Sequence, residues 1–471
     1  MLSDLFARHW FTFHELVTAL ALGIYFIASH TFRQRRHPSA AIAWVLSLAL
    51  IPYLALPLYI LFGNRKVIRR SSGSRIHASF PTKNKDGSPE SRFQTLAGTL
   101  GLPPPSTYHD LELHEDGSHA RQALISIIDG ATSTLDLCTF VLARDVLGHE
   151  ISRHLMQSAR KGVRVRLMID GVGFYLGGRL DLRSLTTAGV RVAKFVSPFQ
   201  SPLPGRTNLR NHRKMVIADG ERVWMGGRNL AAEYFEGDNA FPAKQIPWID
   251  LSFELRGAIA RQTRDQFNKD WMFATQKRQI EVSPTSQADL EIESSPAQLL
   301  PSGPDQSEDT VYTLLISSCF AAQTRILAVS PYFVPDATLQ MALSLAARRG
   351  IAVDLILPGK SNHRLADLAR HPALRDLSSS GARVWLVPEM IHAKAIVIDD
   401  EIALAGSANL DERSLFLNYE VMIAFYMRAD VLRFAQWIET RREGAQPYKA
   451  VPPGVIREMG EGMVRWLAFQ L

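Results

Sequence analysis

Cysteine is nearly absent. Cys138 and Cys319 are the two in 471 residues, each inside an apolar run. That excludes a disulfide scaffold, and the lack of any C-x-x-C pair excludes a thiolate zinc knuckle. Both thiols are expected as small buried hydrophobes. A large excess of one charge is missing too. The chain has 53 Lys and Arg against 46 Asp and Glu, which leaves +7. A basic balance suits an anionic partner, nucleic acid or acidic lipid, without choosing between them. The amino terminus lacks the basic start and small-residue cleavage site of a secretory signal.

Long apolar runs are what the amino terminus does have. Leu16 to Ile27 is apolar without a break, and Trp10 to Phe32 reaches the roughly 20 residues that a tilted spanning helix needs. Arg33, Arg35, Arg36 and His37 follow. Pro38 to Phe62 then carries no charge, with Pro52 and Pro57 as possible kinks. A two-helix transmembrane hairpin is expected. Arg8, Arg65, Lys66, Arg69, Arg70 and Arg75 flank it, against three arginines in its connection, which favours a cytoplasmic bulk of the protein.

Length predicts two or three units. The boundaries read as a hairpin with its basic flank over 1–70, a polar linker over 71–105, one domain over 106–275, a Gln/Ser/Pro-rich linker over 276–300, and a second domain over 301–471. The two domains repeat one order. Leu135 to Val141, Val163 to Ile169 and Val190 to Phe195 read as strands, with a helix over Gly148 to Arg160. Arg325 to Val329, Ile351 to Leu357 and Arg383 to Val387 repeat them, with a helix over Ala337 to Arg348. Strands alternating with helices predict an α/β fold of mixed sheets. Gly454 to Leu471 is spaced as a core-packing helix.

One pattern is written twice. His212-x-Lys214-x4-Asp219 recurs as His392-x-Lys394-x4-Asp399, and each copy is followed by a glycine turn ending in asparagine, Gly226-Gly227-Arg228-Asn229 and Gly406-Ser407-Ala408-Asn409. The His-to-Asn offset is 17 residues in both. Residues two apart in a strand share a face, so each copy presents an imidazole, an ammonium and an amide to one spot. That set suits a phosphate. Two copies meeting would supply one histidine to attack phosphorus and one to protonate the leaving oxygen, with lysines on the equatorial oxygens. A lone copy is a weak signal. The matched turns and the wider duplication make the pair a strong one.

The doubled H-x-K-x4-D-x6-G-[GS]-x-N resembles the signature of the phospholipase D superfamily, over about 106 to 445. Within it the chain is similar to the bacterial cardiolipin synthases. That likeness rests on the two apolar segments, on Pro331-Tyr332-Phe333-Val334-Pro335-Asp336, on Trp248-Ile249-Asp250 and on Asn418-Tyr419-Glu420.

The resemblance implies two phospholipase D-like mixed-sheet domains related by a pseudo-twofold axis behind the transmembrane hairpin. It implies a catalytic set of His212, Lys214, Asp219, His392, Lys394 and Asp399, with the two aspartates in a structural role. His212 would be the nucleophile and His392 the acid and then base. Asn229, Ser407 and Asn409 would bind substrate phosphate, and Gly227 in place of a second serine would make those contacts asymmetric. Asp250 and Glu420 would orient the histidines. Asp250 lies 38 residues after His212 and Glu420 only 28 after His392, which leaves Glu233 and Glu236 as alternatives to Asp250. No metal and no cofactor is implied. The implied reaction passes a phosphatidyl group between two phosphatidylglycerol molecules at a bacterial inner membrane, where the protein would be multi-pass, with no nucleic-acid partner. A phospholipase D with water as acceptor and a membrane-tethered nuclease remain alternatives.

Overall fold

A computed structural model describes residues 2–31, 38–62, 89–196, 208–235, 247–276 and 295–454, and positions 457, 458, 460, 461 and 464. The expected halves are there, but they share one sheet. The first half contributes β1 (Ser106–His114), β2 (Thr134–Thr139), β3 (Arg164–Asp170), β4 (Arg191–Phe195), β5 (Met215–Ala218), β6 (Arg222–Gly226) and β7 (Ser252–Arg256). The second contributes β8 (Ser295–Ser302), β9 (Arg325–Val329), β10 (Ala352–Pro358), β11 (Arg383–Val387), β12 (Ala395–Ile398), β13 (Ile402–Gly406) and β14 (Asn418–Phe425).

The spatial order is β4-β3-β2-β5-β6-β7-β1, then β8-β14-β13-β12-β9-β10-β11. Each strand of the first half thus has its counterpart seven labels later, in mirrored order about the β1–β8 seam. The seam is antiparallel, with Ser106 opposite Ala297 and Tyr108 opposite Ser295. In each half three parallel strands lead into antiparallel ones. The parallel strands are buried on both faces, as β2 shows at all six positions.

Helices cover both faces. On one side Leu124, Ile127, Ile151 and Leu155 pack on Leu135, Leu137 and Trp224. On the other a single core runs through both halves, from Met168, Met215 and Phe267 to Val397, Ile423, Phe434 and Trp437. Sharing that core is what holds the two motif copies in register.

Three expectations change. The stretch 71–105 is not all linker. Residues 71–88 lie outside the described residues, but Pro89–Thr99 is a helix that buries Phe93 and Ala97 against the second half. The second linker likewise gives way to β8 from Ser295. At the amino terminus, three helices replace the expected pair: α1 (Leu2–Thr31), α2 (Pro38–Leu50) and α3 (Pro52–Phe62). The second apolar segment breaks at Ile51 because Pro52 opens a new helix, and Pro there cannot extend the preceding hydrogen-bond ladder. Among the described residues no helix is long and apolar enough to cross a membrane. The three helices pack through Ala21, Tyr25, Leu48, Ala55 and Tyr59 and leave large apolar side chains outward, with Leu16, Ile27 and Leu50 about two-thirds or more exposed at 68, 68 and 73%. Arg33 to His37, Arg65 to Arg75 and most of Gly454 to Leu471 lie outside the described residues.

Candidate active site

Each motif copy is a β-hairpin, β5–β6 in one half and β12–β13 in the other. The His-x-Lys segment sits in extended chain just ahead of the hairpin rather than inside it. His and Lys still share a side, since Lys214 Nζ donates to the His212 carbonyl at 2.6 Å and Lys394 Nζ donates to that of His392. Asp219 and Asp399 occupy left-handed turn positions, φ 56° and 51°. Their carboxylates accept from the start of a neighbouring strand: Asp219 from the amides of Thr132, Ser133 and Thr134, Asp399 from those of Gln323, Thr324 and Arg325. Those bonds pin each hairpin to the neighbouring strand.

The orienting carboxylates exchange halves. His212 Nδ1 lies 3.1 and 3.3 Å from the two oxygens of Glu420, and His392 Nδ1 lies 2.7 Å from Asp250 Oδ2. The sequence spacing suggested the opposite, each acid serving the histidine of its own half. The reason is backbone pairing across the axis. Arg210 and Asn211 pair with Asn418 and Tyr419, and the His212 amide donates to Tyr419 at 2.9 Å. Ile249 pairs with Ile391, and the His392 amide donates to Ile249 at 2.6 Å. Each histidine is therefore laid beside the other half's acid. Asp250 fills this place, not Glu233; Glu236 lies outside the described residues.

Ser407 is also placed differently from expectation. Its hydroxyl donates to Glu420 at 2.5 Å, so it braces the carboxylate instead of facing a phosphate. Ser414 and Asn418 add further bonds to Glu420 at 2.6 and 3.3 Å. In the first half the matching position is Gly227, where a Cβ would stand 2.2 Å from Asp250 Oδ1. Glycine is needed there because the carboxylate occupies the side-chain space. Asn229 donates to the Tyr234 hydroxyl at 2.8 Å, while its own Oδ1 and that of Asn409 are buried without a hydrogen-bond partner.

Two arginines inside the motifs were not singled out in the sequence. Arg213 is fully buried and joins the halves, donating to Asp270, to Asp305 at 3.2 Å and to the carbonyls of Glu420 and Ser302 at 2.9 and 3.1 Å. Arg228 donates to the carbonyls of Tyr234, His114 and Glu115. Their counterparts Ala393 and Ala408 carry no charge, and that break in the repeat was the available signal.

Burial, with the Lys394 ammonium next, pushes His392 down to about 3; burial and Lys214 lower His212. Burial also pulls Lys214 to about 8 and Lys394 to about 7. For Asp250 burial alone would raise the carboxyl, but His392 and Lys394 bring it below its ordinary value; His212 and Lys214 do the same for Glu420. The site thus holds two neutral imidazoles, each with Nδ1 toward a carboxylate, beside two lysines drawn toward losing their charge, with Lys394 Nζ 3.0 Å from His392 Nε2. Fixing the far nitrogen sets the tautomer. Aromatic edges complete the walls, Phe140 at 5.1 Å from His212 and Tyr234 at 4.9 Å from His392. Among the described residues no group of three or more His, Cys, Asp and Glu is placed to hold a metal ion.

The family described as "Cardiolipin synthase, PLD-like domain" matches residues 124–271 and 315–442, one span for each half and each with its motif copy. The chain belongs to this family. A second family, described as "Phospholipase_D-nuclease N-terminal", matches residues 21–64. Cardiolipin synthase A of Pseudomonas entomophila (strain L48) is 29% identical over 439 residues, 90% of each chain. The cardiolipin synthase of Alkalihalophilus pseudofirmus is 29% identical over 448 residues, 91% of this chain and 87% of the relative. Phosphatidylserine synthase of Haemophilus influenzae Rd KW20 shares the fold, with a TM-score of 0.61 at 13% identity over 81% of this chain and 100% of that one. This member of the cardiolipin synthase PLD-like family is therefore an α/β enzyme with two phospholipase D-like repeats, and a phosphatidyltransferase by kinship.

Proposed function

We propose that the protein is a cardiolipin synthase, joining two phosphatidylglycerol molecules with release of glycerol. The observation that carries this is the exchanged pairing of His212 with Glu420 and His392 with Asp250, which makes two motif copies into one site. The relatives' names supply the reaction class.

The anionic phosphodiester of the donor lies between Lys214 and Lys394 and offsets the charges that keep both imidazoles neutral, so one histidine takes up a proton as substrate binds. His212 Nε2 attacks phosphorus, a P–N bond forms and the P–O bond to glycerol breaks. His392 gives its proton to the departing glycerol oxygen. In the second half-reaction His392 removes the proton from the primary hydroxyl of another phosphatidylglycerol. That oxygen attacks phosphorus, and the P–N bond breaks. His212 is assigned the attack because its side chain is more open, 12% exposed against 4% for His392. Asn229 and Asn409, both with buried side chains, are assigned amide contacts on the phosphate.

The outward apolar side chains of α1–α3 support a membrane location, and the arginines flanking the apolar segments are the ground for assigning a multi-pass protein at the bacterial inner membrane with the catalytic halves cytoplasmic. The test is purified full-length protein with labelled phosphatidylglycerol in liposomes, with and without EDTA. Cardiolipin and glycerol as products, lost in His212→Ala and His392→Ala, support the reading. Phosphatidic acid alone would overturn it in favour of hydrolysis. Rapid-quench trapping locates the phosphohistidine, and an adduct on His392 would reverse the assigned roles.

A further inference from the structure

A cleft of about 480 Å³ opens in the first half, at the carboxyl ends of the parallel strands β2, β3 and β4. That end of an open α/β sheet is where ligands collect. Arg144, His149, Arg179 and Lys194 line it, with Phe174 and Leu180 as its apolar wall. Lys194 Nζ lies 3.9 Å over the Phe174 ring, and the Arg179 guanidinium lies 4.7 Å over Tyr175. Among the described residues Arg144, Arg179 and Lys194 make no ion pair. The acid in the lining, Asp181, is already engaged by the Ser184 hydroxyl at 2.5 Å and the Arg183 amide at 3.0 Å. The cleft is therefore net cationic, with donors to spare. Val146 and Leu176 stand close by in sequence with large apolar side chains 52 and 69% exposed.

The cleft lies close behind the catalytic residues. Phe140 packs edge-on against His212, and its carbonyl presses on Gly173, where a Cβ would stand 1.7 Å away; Phe174 is the next residue. Leu230, which follows Asn229, exchanges backbone bonds with Val141 and Ala143, immediately before Arg144.

We propose that this cleft docks the phosphate headgroup of an anionic phospholipid beside the catalytic site, while Val146 and Leu176 contact the acyl region of the interface. A cationic cleft with two exposed apolar side chains close by in sequence matches a lipid surface of negative charge, since each cation gains from an anionic headgroup and each apolar side chain from leaving water. The proposal rests on the phospholipid-transferase reading and deepens it: an enzyme that takes two anionic lipids in turn gains from a docking point that holds the second near the site while the first is processed.

Lys194 reports occupancy directly. Full-length protein is placed in phosphatidylcholine nanodiscs with or without phosphatidylglycerol, and acylation of Lys194 by an amine reagent is followed by mass spectrometry. Phosphatidylglycerol is expected to slow labelling several-fold, in wild type and equally in His392→Ala. The variant Arg144→Gln/Arg179→Gln is expected to lose that protection while keeping the wild-type melting temperature. Equal labelling in both lipids overturns the proposal. Protection by free glycerol 3-phosphate in pure phosphatidylcholine discs, as strong as that by the lipid, overturns the lipid assignment. Protection in a wild-type protein that itself makes no cardiolipin from phosphatidylglycerol would sink the synthase reading and leave this docking site standing.

Discussion

The two motif copies present the same reactive groups, yet the structure supports them by different means. In the second half Glu420 is braced by the hydroxyls of Ser407 and Ser414 and reaches across to His212. In the first half the shorter Asp250 closes directly on Gly227 and reaches across to His392 at 2.7 Å. A longer acid with hydroxyl props and a shorter acid packed against bare backbone achieve the same end. Charge is distributed unequally as well. Arg213 and Arg228 are buried in the first copy, where the second has Ala393 and Ala408. The duplication preserves the histidine, lysine and asparagine of each copy and varies what holds them, so each support can be tested against its counterpart.

The histidines should show the largest effect. If the copies form one site, His212→Ala and His392→Ala each lower transfer by about a thousandfold or more, and the double variant falls no further. Independent sites would instead leave a substantial fraction of activity in each single variant. Next comes the buried bridging charge of Arg213. Arg213→Ala leaves Asp270 buried without its partner and should cost about 3–5 kcal/mol. Ala393→Gly at the matching position should cost about 1 kcal/mol. Denaturant unfolding measures both, and equal losses would remove Arg213 as the special tie between halves.

The props come third. Gly227→Ser forces Asp250 away and frees His392, with an expected loss of about a hundredfold in kcat; Ser407→Gly removes one bond of several from Glu420 and should cost nearer tenfold. A reversed ranking would mean that the hydroxyl, not the bare glycine, is the critical support. The hairpin aspartates should behave alike. Asp219→Asn and Asp399→Asn should each lose about 1–3 kcal/mol of stability and retain catalysis at low temperature. A selective loss of catalysis in one of them would contradict their equivalence.

The smallest effect concerns pH. Both lysines ordinarily titrate at 10.5 and are drawn down, Lys394 to about 7 and Lys214 to about 8. Above these values the two lysines are uncharged in the folded protein while the unfolded chain still binds the protons. Their contribution to stability therefore grows as pH rises from about 7 toward 10.5 and is lost as pH falls through the folded values. The phosphate clamp weakens over the same range, so kcat/KM should fall where stability rises. Lys394→Met should remove more of the stability slope than Lys214→Met, because Lys394 is shifted further. An equal or reversed ranking would mean that the two lysines sit in equivalent environments.

Much of this was legible in advance for a local reason. Alternation in 164–170, the glycine-led turns and the matched offsets all reflect rules that act over a few residues. What was hidden depends on distant pairing. The seam strand β8 reads Ser-Pro-Ala-Gln-Leu-Leu-Pro-Ser, and Pro296 and Pro301 disguise it as linker because proline gives no ladder donor. The helix at Pro89–Thr99 has too few apolar residues to stand out in a polar stretch, and is held by burying Phe93. Ser407 sits in the glycine turn like a phosphate ligand, and nothing local shows that Glu420 accepts its hydrogen bond.

The sequence by itself determined the reactive groups, their doubled spacing and the apolar amino terminus, since side-chain chemistry and period-2 geometry travel with the chain. The tertiary structure decided which acid serves which histidine, that Ser407 faces inward, and that one arginine ties the halves. Those outcomes follow from a shared core that forces Tyr419 beside Asn211 and Ile249 beside Ile391. Such contacts span more than a hundred residues, and no local pattern encodes them.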